Sequence, residues 1–275
     1  MRRPTLVIRN ESNLEQAWGL AKAHNRIIGP LLSRWAARNA HIVTVSHALR
    51  QPTIEFLQVS PSRVTTILNP ALADIPLATD SGTAQLHHWL QDKRIPTFIA
   101  MGRLEHEKGF DVLIDAFATM RQHTEARLLI FGQGSLHARL QAQIDAHGLN
   151  DAIALAGHTR HPVAQMRAAD AFVLSSRFEG FGLVLVEALW AGTQVIATDC
   201  NYGPAELLEQ GRYGTLVPVE DMQALADAML ASVQNPRVHA RPPENWFTRF
   251  TATEAARQHI ALIESIKTGG GPKVD

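Results

Sequence analysis

Residues Ser175 to Gly192 read SSRFEGFGLVLVEALWAG, and three local signals follow one another without a gap. The stretch opens at the end of an apolar run, AFVLSS (171–176). It then turns at Glu179 between glycines 180 and 182, and continues into an apolar helix that holds one carboxylate, Glu187. Strand, glycine turn and helix in that order form the βα step of a doubly wound sheet. A carboxylate among Val184, Leu185, Val186, Ala188, Leu189 and Trp190 is costly to bury without a hydrogen-bond donor. A ligand is the expected donor.

The same alternation extends both ways. On the N-terminal side come the strands PTFIAMG (96–102), RLLIFG (127–132) and AIALAG (152–157), with helices expected from Phe110 to His123, Ser135 to His147 and Val163 to Ala168. On the C-terminal side come QVIAT (194–198), a helix near Pro204 to Glu209, TLVPV (215–219) and a helix from Asp221 to Val233. These strands do not alternate in polarity, as expected when helices cover both faces of a parallel sheet. Earlier in the chain, TLVIR (5–9), HIVTV (41–45) and RVTTIL (63–68) are three more strands. They are separated by a helical region from Leu14 to Asn39, broken near Gly29-Pro30, and by a helix from Ala48 to Val59.

The fold class is therefore α/β, with a partial first Rossmann-like domain (1–75), a linker (76–94) carrying a short helical patch at Leu86 to Leu90, and a complete doubly wound domain (95–240). Glu244 to Lys267 reads as one amphipathic C-terminal helix within 241–267, and GGGPKVD (268–275 with Thr268) as a flexible tail.

At 275 residues, 45% hydrophobic and with zero formal net charge, the composition is that of an ordinary globular protein. It offers no basic excess for a nucleic acid. A single cysteine, Cys200, excludes an intrachain disulfide and fits a reducing compartment. No secretory signal and no membrane-spanning stretch are read, so the expectation is cytoplasmic. A second reading has Lys22, Arg26, Arg34 and Arg38, with Trp18 and Trp35, form an interfacial helix at the inner face of a membrane; a solvated helix face is the simpler reading.

Three loops end strands on the ligand edge. Gly102 to Gly109 (GRLEHEKG) carries Arg103 and Lys108, a guanidinium that can fork phosphate oxygens and a mobile ammonium. A solvated charged loop with Glu105 and Glu107 explains it equally well. Phe131 to Ser135 (FGQGS) allows a close backbone approach. His137 stands where a dinucleotide fingerprint needs its third glycine, which places NAD below other nucleotides. The third loop is the opening stretch, where amides of Phe181, Gly182 and Leu183 at a helix start suit a pyrophosphate and Glu179 and Glu187 suit sugar hydroxyls. The alternative leaves Glu179 as a helix-start acid and Glu187 on a solvent stripe. His87-His88 and His158-x-x-His161 lack a metal-ligand spacing, and no metal or cofactor is expected.

Taken together, GRLEHEKGFDVLIDAF, LLIFGQGS, LAGHT, AADAFVLSSRFEGFGLVLVEALWAGTQVIATD and GRYGTLVP closely resemble the retaining GT-B glycosyltransferases of family 4 over about residues 95–235. Glu179 and Glu187 reproduce that family's E-x7-E pattern, and TVSHALRQ (44–51) and RVTTILNPAL (63–72) resemble the end of its first domain. The resemblance implies a GT-B fold and a nucleotide-sugar donor, a UDP-sugar first and a GDP-sugar second. Arg103 and Lys108 would hold the diphosphate, Glu179 the donor sugar and Glu187 the ribose, with Gly134 and the loop His158 to Arg160 bordering the base. It also implies metal-independent transfer with retention to a glycan or lipid-linked acceptor.

The chain departs from that pattern at its start. The early glycine-rich loop and much of an acceptor-binding domain are missing, and Arg9-Asn10 stand where many relatives carry a histidine. A partner chain or self-association covering the incomplete first domain is the corresponding expectation, and strand TLVIR would lie exposed without one. Three functions are weighed: a glycosyltransferase, a nucleotide-sugar-binding half-enzyme inactive alone, and an NAD-dependent oxidoreductase. Removing Arg103 or Lys108 is expected to lower turnover more than stability.

Overall fold

A computed structural model describes residues 6–11, 14, 23–72, 85–236 and 238–268, with 23–27 described by backbone alone. The calls on Trp18 and Lys22, on residues 76–84 of the linker and on the tail beyond Thr268 lie outside these residues, as does the side chain of Arg26. The elements are β1 (Leu6–Asn10), α1 (Ala23–Ala37), β2 (Ala40–Thr44), α2 (Arg50–Leu57), β3 (Val64–Thr66), α3 (His88–Gln91), β4 (Thr97–Met101) and α4 (Phe110–Arg121). They continue as β5 (Arg127–Phe131), α5 (His137–Ala146), β6 (Ile153–Gly157), α6 (Pro162–Ala168), β7 (Ala171–Leu174), α7 (Leu183–Ala191), β8 (Gln194–Thr198) and α8 (Pro204–Leu207). The last are β9 (Thr215–Val217), α9 (Met222–Gln234), α10 (Glu244–Phe247) and α11 (Ala252–Thr268).

The second domain is a parallel sheet ordered β6-β5-β4-β7-β8-β9. Its strands are nearly continuous apolar runs because each face is covered: Phe98, Leu128, Val173 and Ile196 pack with α4 and α9, while Ile99, Leu129, Phe172 and Val195 pack with α7 and the α10 region. The sheet runs outward from β4 to β6 and then restarts beside β4 at β7. The loops after β4 and β7 therefore leave neighbouring strands in opposite directions and open a crevice between them.

Among the described residues the first domain holds three parallel strands ordered β1-β2-β3. Alternate residues face opposite ways, so Ile8, Ile42 and Val64 pack with α1 and α2 while Val7, Val43 and Ile67 meet Ala255 and Leu262 of α11. The C-terminal helix thus closes the far face of the first domain.

Two sequence expectations are corrected. Helix α1 runs through Pro30 without a break; packing of the buried Gly29 and Ala37 outweighs the single backbone bond that a proline cannot make. Residues 244–267 are not one helix. Phe250 is buried against Phe181 and Trp246, and Thr251 turns to extended backbone (φ −86°, ψ 154°) before α11 begins. Thr251 then caps that helix, its Oγ1 accepting from the Glu254 N–H at 3.3 Å. The T-x-x-E spacing of a capping box was present in the sequence. At this break the Phe250 carbonyl accepts from the N–H groups of Ala71 (2.9 Å) and Leu72 (3.1 Å), tying the end of the first domain to the C-terminal segment. Glu206 makes the other polar clasp, accepting from the N–H of His47 (3.2 Å) and Ala48 (3.0 Å).

Candidate active site

The carboxyl ends of β4, β5, β6 and β7 open into a cleft of about 860 Å³ that first-domain residues Glu11 and Asn69 help to line. The loop after β4 is shaped by its acids. Glu105 accepts from Ser135 N–H (2.8 Å) and Ser135 Oγ (2.6 Å), stapling this loop to the one after β5 and holding the Glu105 carboxyl below its usual range. Glu107 takes Arg103, whose Nη2 lies 2.5 Å from its Oε1, and the Arg103 side chain is 74% exposed. Arg103 lines the mouth of the cleft as a cation on a solvent-side tether.

Lys108 is placed differently. Its Nζ lies 2.6 Å from Glu179 Oε1, with side chains only 17% and 9% exposed, and Ser176 Oγ donates to the same oxygen at 2.6 Å. Both bonds land on one oxygen, which leaves Oε2 of Glu179 to accept from a ligand hydroxyl. A shielded pair of this kind is a local, exchangeable contact, because an incoming anion can take the ammonium while sugar hydroxyls take the carboxylate.

Glu179 is followed by the start of α7. Gly182 adopts φ +86°, a left-handed conformation that glycine enters without Cβ strain, and turns the chain into the helix. The N–H groups of Phe181, Gly182 and Leu183 donate to no other backbone group among the described residues, as the first amides of a helix must. They line the cleft beside Lys108. One helical turn on, Glu187 also lines it. Burial pushes its carboxyl up to about 7, so near neutral pH it is poised between acid and carboxylate.

An arginine not singled out in the sequence holds these loops together. Arg177 donates from Nη1 to Asp111 Oδ1 (2.8 Å) and the His106 carbonyl (2.8 Å), from Nη2 to Asp111 Oδ2 (2.9 Å) and from Nε to Glu220 (2.7 Å). The bidentate pair with Asp111 raises the guanidinium's affinity for its proton further. It ties the start of α4 to the loop before α7, a role invisible while its partners are 66 and 43 residues away in sequence. Arg177→Ala is expected to cost about 3 kcal/mol, the scale for breaking a shielded ion pair from one side. A fall in melting temperature and faster amide exchange at residues 105–109 would show it.

The cleft brings together Arg103, Lys108, Glu179, Phe181, Gly182, Leu183, Glu187 and His158. Two expected site residues are not among those lining it. Gly134 packs the loops instead: a Cβ there would meet the Leu104 carbonyl oxygen at 2.4 Å, so glycine is needed for the close backbone crossing. Arg160 is exposed, and its neighbour Thr159 lines the wall. Sequence reasoning did not place Glu11 or Asn69 at the site, while Gln133 and Thr159 belong to the two loops it did name. Glu11 follows β1 directly, so its position at a strand's carboxyl end was the available signal. No group of three or more His, Cys, Asp or Glu that could hold a metal ion is found among the described residues. Cys200 is buried, and burial pushes its thiol up to about 12, which makes it unreactive. No described helix is long and apolar enough to cross a membrane.

Comparison with known proteins bears on the whole arrangement. The sequence model of the family described as Glycosyl transferases group 1 matches residues 86–247. The chain is 33% identical over 242 residues to the exopolysaccharide phosphotransferase SCO2592 of Streptomyces coelicolor, covering 86% of this chain and 24% of that protein. It is 35% identical over 182 residues to the phosphatidyl-myo-inositol mannosyltransferase of Mycobacterium leprae, covering 63% of this chain and 48% of that one. The chain thus spans less than half the length of either relative. Anabaena Alr3699/HepE, solved in complex with UDP-glucose, superposes with a TM-score of 0.79 at 22% identity over 96% of this chain and 73% of its own. That likeness shows the fold, an α/β architecture of parallel sheets that matches GT-B glycosyltransferases. On the match across residues 86–247, more than half of its length, the chain belongs to the group 1 glycosyl transferases.

Proposed function

We propose that this chain is a retaining, metal-independent glycosyltransferase of the family 4 type that moves a sugar from a nucleotide diphosphate to a hydroxyl acceptor. The observation that carries the reading is the shielded Lys108–Glu179 pair beside the first amides of α7 and the half-buried Glu187 carboxyl, all lining one cleft. The amides and Lys108 receive the diphosphate, Arg103 leaves Glu107 to join them, Glu179 Oε2 accepts from the sugar and Glu187 from the ribose. In the transfer step the anomeric carbon–phosphate oxygen bond breaks and a bond to the acceptor oxygen forms on the same face. The acceptor proton passes to the leaving phosphate, whose growing charge is stabilised by Lys108 and Arg103.

A UDP-sugar is the first donor to test, in keeping with the UDP-glucose bound by Anabaena HepE; a GDP-sugar is the second. The names of relatives acting on phosphatidyl-myo-inositol and on a diphospho-undecaprenol support a lipid-linked or glycan acceptor. A second reading, a donor-binding half-enzyme needing another chain for turnover, is favoured by the three-stranded first domain.

Thermal shift separates these readings from an oxidoreductase. UDP or GDP at 100 times its dissociation constant is expected to stabilise the fold by about 2.7 kcal/mol. Protection by NAD with indifference to both nucleotides would reject the proposal. Donor hydrolysis or transfer by the purified chain distinguishes the enzyme from the half-enzyme.

A further inference from the structure

Among the described residues three side-chain polar atoms are buried without a hydrogen-bond partner: Arg121 Nε, Arg249 Nε and Asn69 Oδ1. The arginines are accounted for by their other nitrogens, since Nη2 of Arg121 faces Asp151 at 3.8 Å and Nη2 of Arg249 faces Glu209 at 4.0 Å. Asn69 has no such account. Its residue is 9% exposed, and of the three it is the one that lines the cleft. A buried carbonyl oxygen without a donor is costly, and an orphan of this kind in a native fold calls for an explanation.

The ordinary use of an asparagine before a proline is a turn closed by its own side chain. Here Oδ1 accepts from no backbone group, and other contacts hold the segment. Ile67 N–H donates to the Thr44 carbonyl at 2.9 Å, extending the pairing of β3, and Pro70 disfavours helical backbone at Asn69. Ala71 and Leu72 then donate to the Phe250 carbonyl at the domain seam. Asn69 is thus anchored on both sides while its side-chain oxygen serves no bond within the fold. The torsion about χ2 of an asparagine is soft, so a turn about it presents either the oxygen or the NH2 group to the cleft.

We propose that Asn69 is a sugar-specificity residue, its carboxamide reaching in from the first domain to hold a hydroxyl of the donor's sugar. The proposal rests on the nucleotide-sugar reading and names a further contact at that same site. The groups suited to the diphosphate, Lys108, Arg103 and the first amides of α7, all come from the second domain. A neutral carboxamide adds no charge to them and suits the neutral part of the donor. It offers one acceptor and two N–H donors, and a hydroxyl both donates and accepts, so the two pair in either sense. Glu179 only accepts. Two walls with different hydrogen-bonding capacity then read the sugar, and a site that bonds a hydroxyl discriminates against a ligand that lacks it.

Calorimetric titration of the whole chain with UDP, GDP, UDP-glucose, UDP-N-acetylglucosamine and GDP-mannose tests it. Asn69→Ala is expected to weaken the nucleotide sugar that binds the wild type best by about tenfold, leaving its bare nucleotide within about twofold. Asn69→Leu, close to asparagine in volume but without polar atoms, is expected to show the same selective loss. Asn69→Ala is not expected to lower the melting temperature, since it removes an unpartnered polar atom, and circular dichroism checks that both variants fold. A lower melting temperature without selective loss of the sugar makes Asn69 structural and overturns the proposal. Variants that keep the wild-type affinity for the nucleotide sugar also overturn it and leave the nucleotide-sugar reading standing. A wild type that binds none of the five compounds rejects that reading, and this proposal with it.

Discussion

Lys108→Ala is expected to lower both the stability of the fold and its turnover, and the loss of stability separates the structure from the sequence pattern. On sequence alone Lys108 is a loop cation whose removal affects turnover more than folding. In the structure its ammonium is the partner of Glu179 at 2.6 Å, with both side chains largely shielded. Removing it leaves a buried carboxylate with only Ser176 Oγ as donor. That costs about 3 kcal/mol, or roughly 6 to 12 °C in melting temperature for a chain of this size. The double variant Lys108→Ala/Glu179→Ala is expected to recover part of that loss, because it removes the unpaired charge as well. Equal destabilisation by the single and double variants would show that the pair carries no stability. If the proposed role in transfer holds, Lys108→Ala also lowers turnover by about 100-fold, the scale for losing one preorganised donor to a developing charge. Arg103→Ala keeps the original expectation, since Arg103 is mostly exposed and its salt bridge is to Glu107 in the same loop.

Glu187 is expected to make stability and nucleotide binding depend on pH with opposite signs. Its folded-state pKa, about 7, lies above the ordinary value of 4.5 because burial disfavours the carboxylate. The folded chain therefore holds a proton that the unfolded chain releases between those values. The stabilising contribution of the neutral acid is complete below about 4.5 and is lost as pH rises through about 7. The full excursion is on the order of 3 kcal/mol. Melting of the wild type from pH 4.5 to 8 is thus expected to fall relative to Glu187→Gln, whose amide does not titrate. Parallel pH profiles would show that Glu187 does not titrate in this range. Ribose hydroxyls donating to Glu187 favour its ionised form, so UDP affinity is expected to rise several-fold from pH 6 to pH 8 with release of a proton. Calorimetry in buffers of different ionisation enthalpy measures that proton directly. Glu187→Gln is expected to remove the pH dependence and weaken binding by about 1 to 3 kcal/mol.

Legibility followed the range of the interactions. The βα order, the all-parallel second-domain sheet and the cleft at its strand ends were readable because they rest on runs of a few residues and on a fixed crossover hand. The E-x7-E pair was readable because one helix start sets its spacing. Gly134 and Arg160, which the resemblance placed beside the base, sit in the loops that edge the cleft without lining it: a backbone crossing occupies the first and solvent surrounds the second. Arg177 and Glu206 were missed because their partners are distant in sequence, whereas the turn at Thr251 carried a local capping signal that was passed over.

By itself the sequence determined the alternating elements, the three glycine-bearing loops and the awkward carboxylate in the α7 segment, since these depend on local propensity and on the cost of burying charge. Only the tertiary structure decided what each charge does. It parked Arg103 on Glu107, shielded Lys108 against Glu179, raised Glu187 by burial and returned α11 to cover the first domain. It also turned the large apolar face of α1 outward. Charge pairing and burial are set by which segments the fold brings within a few ångströms, and no reading of spacing along the chain contains that distance.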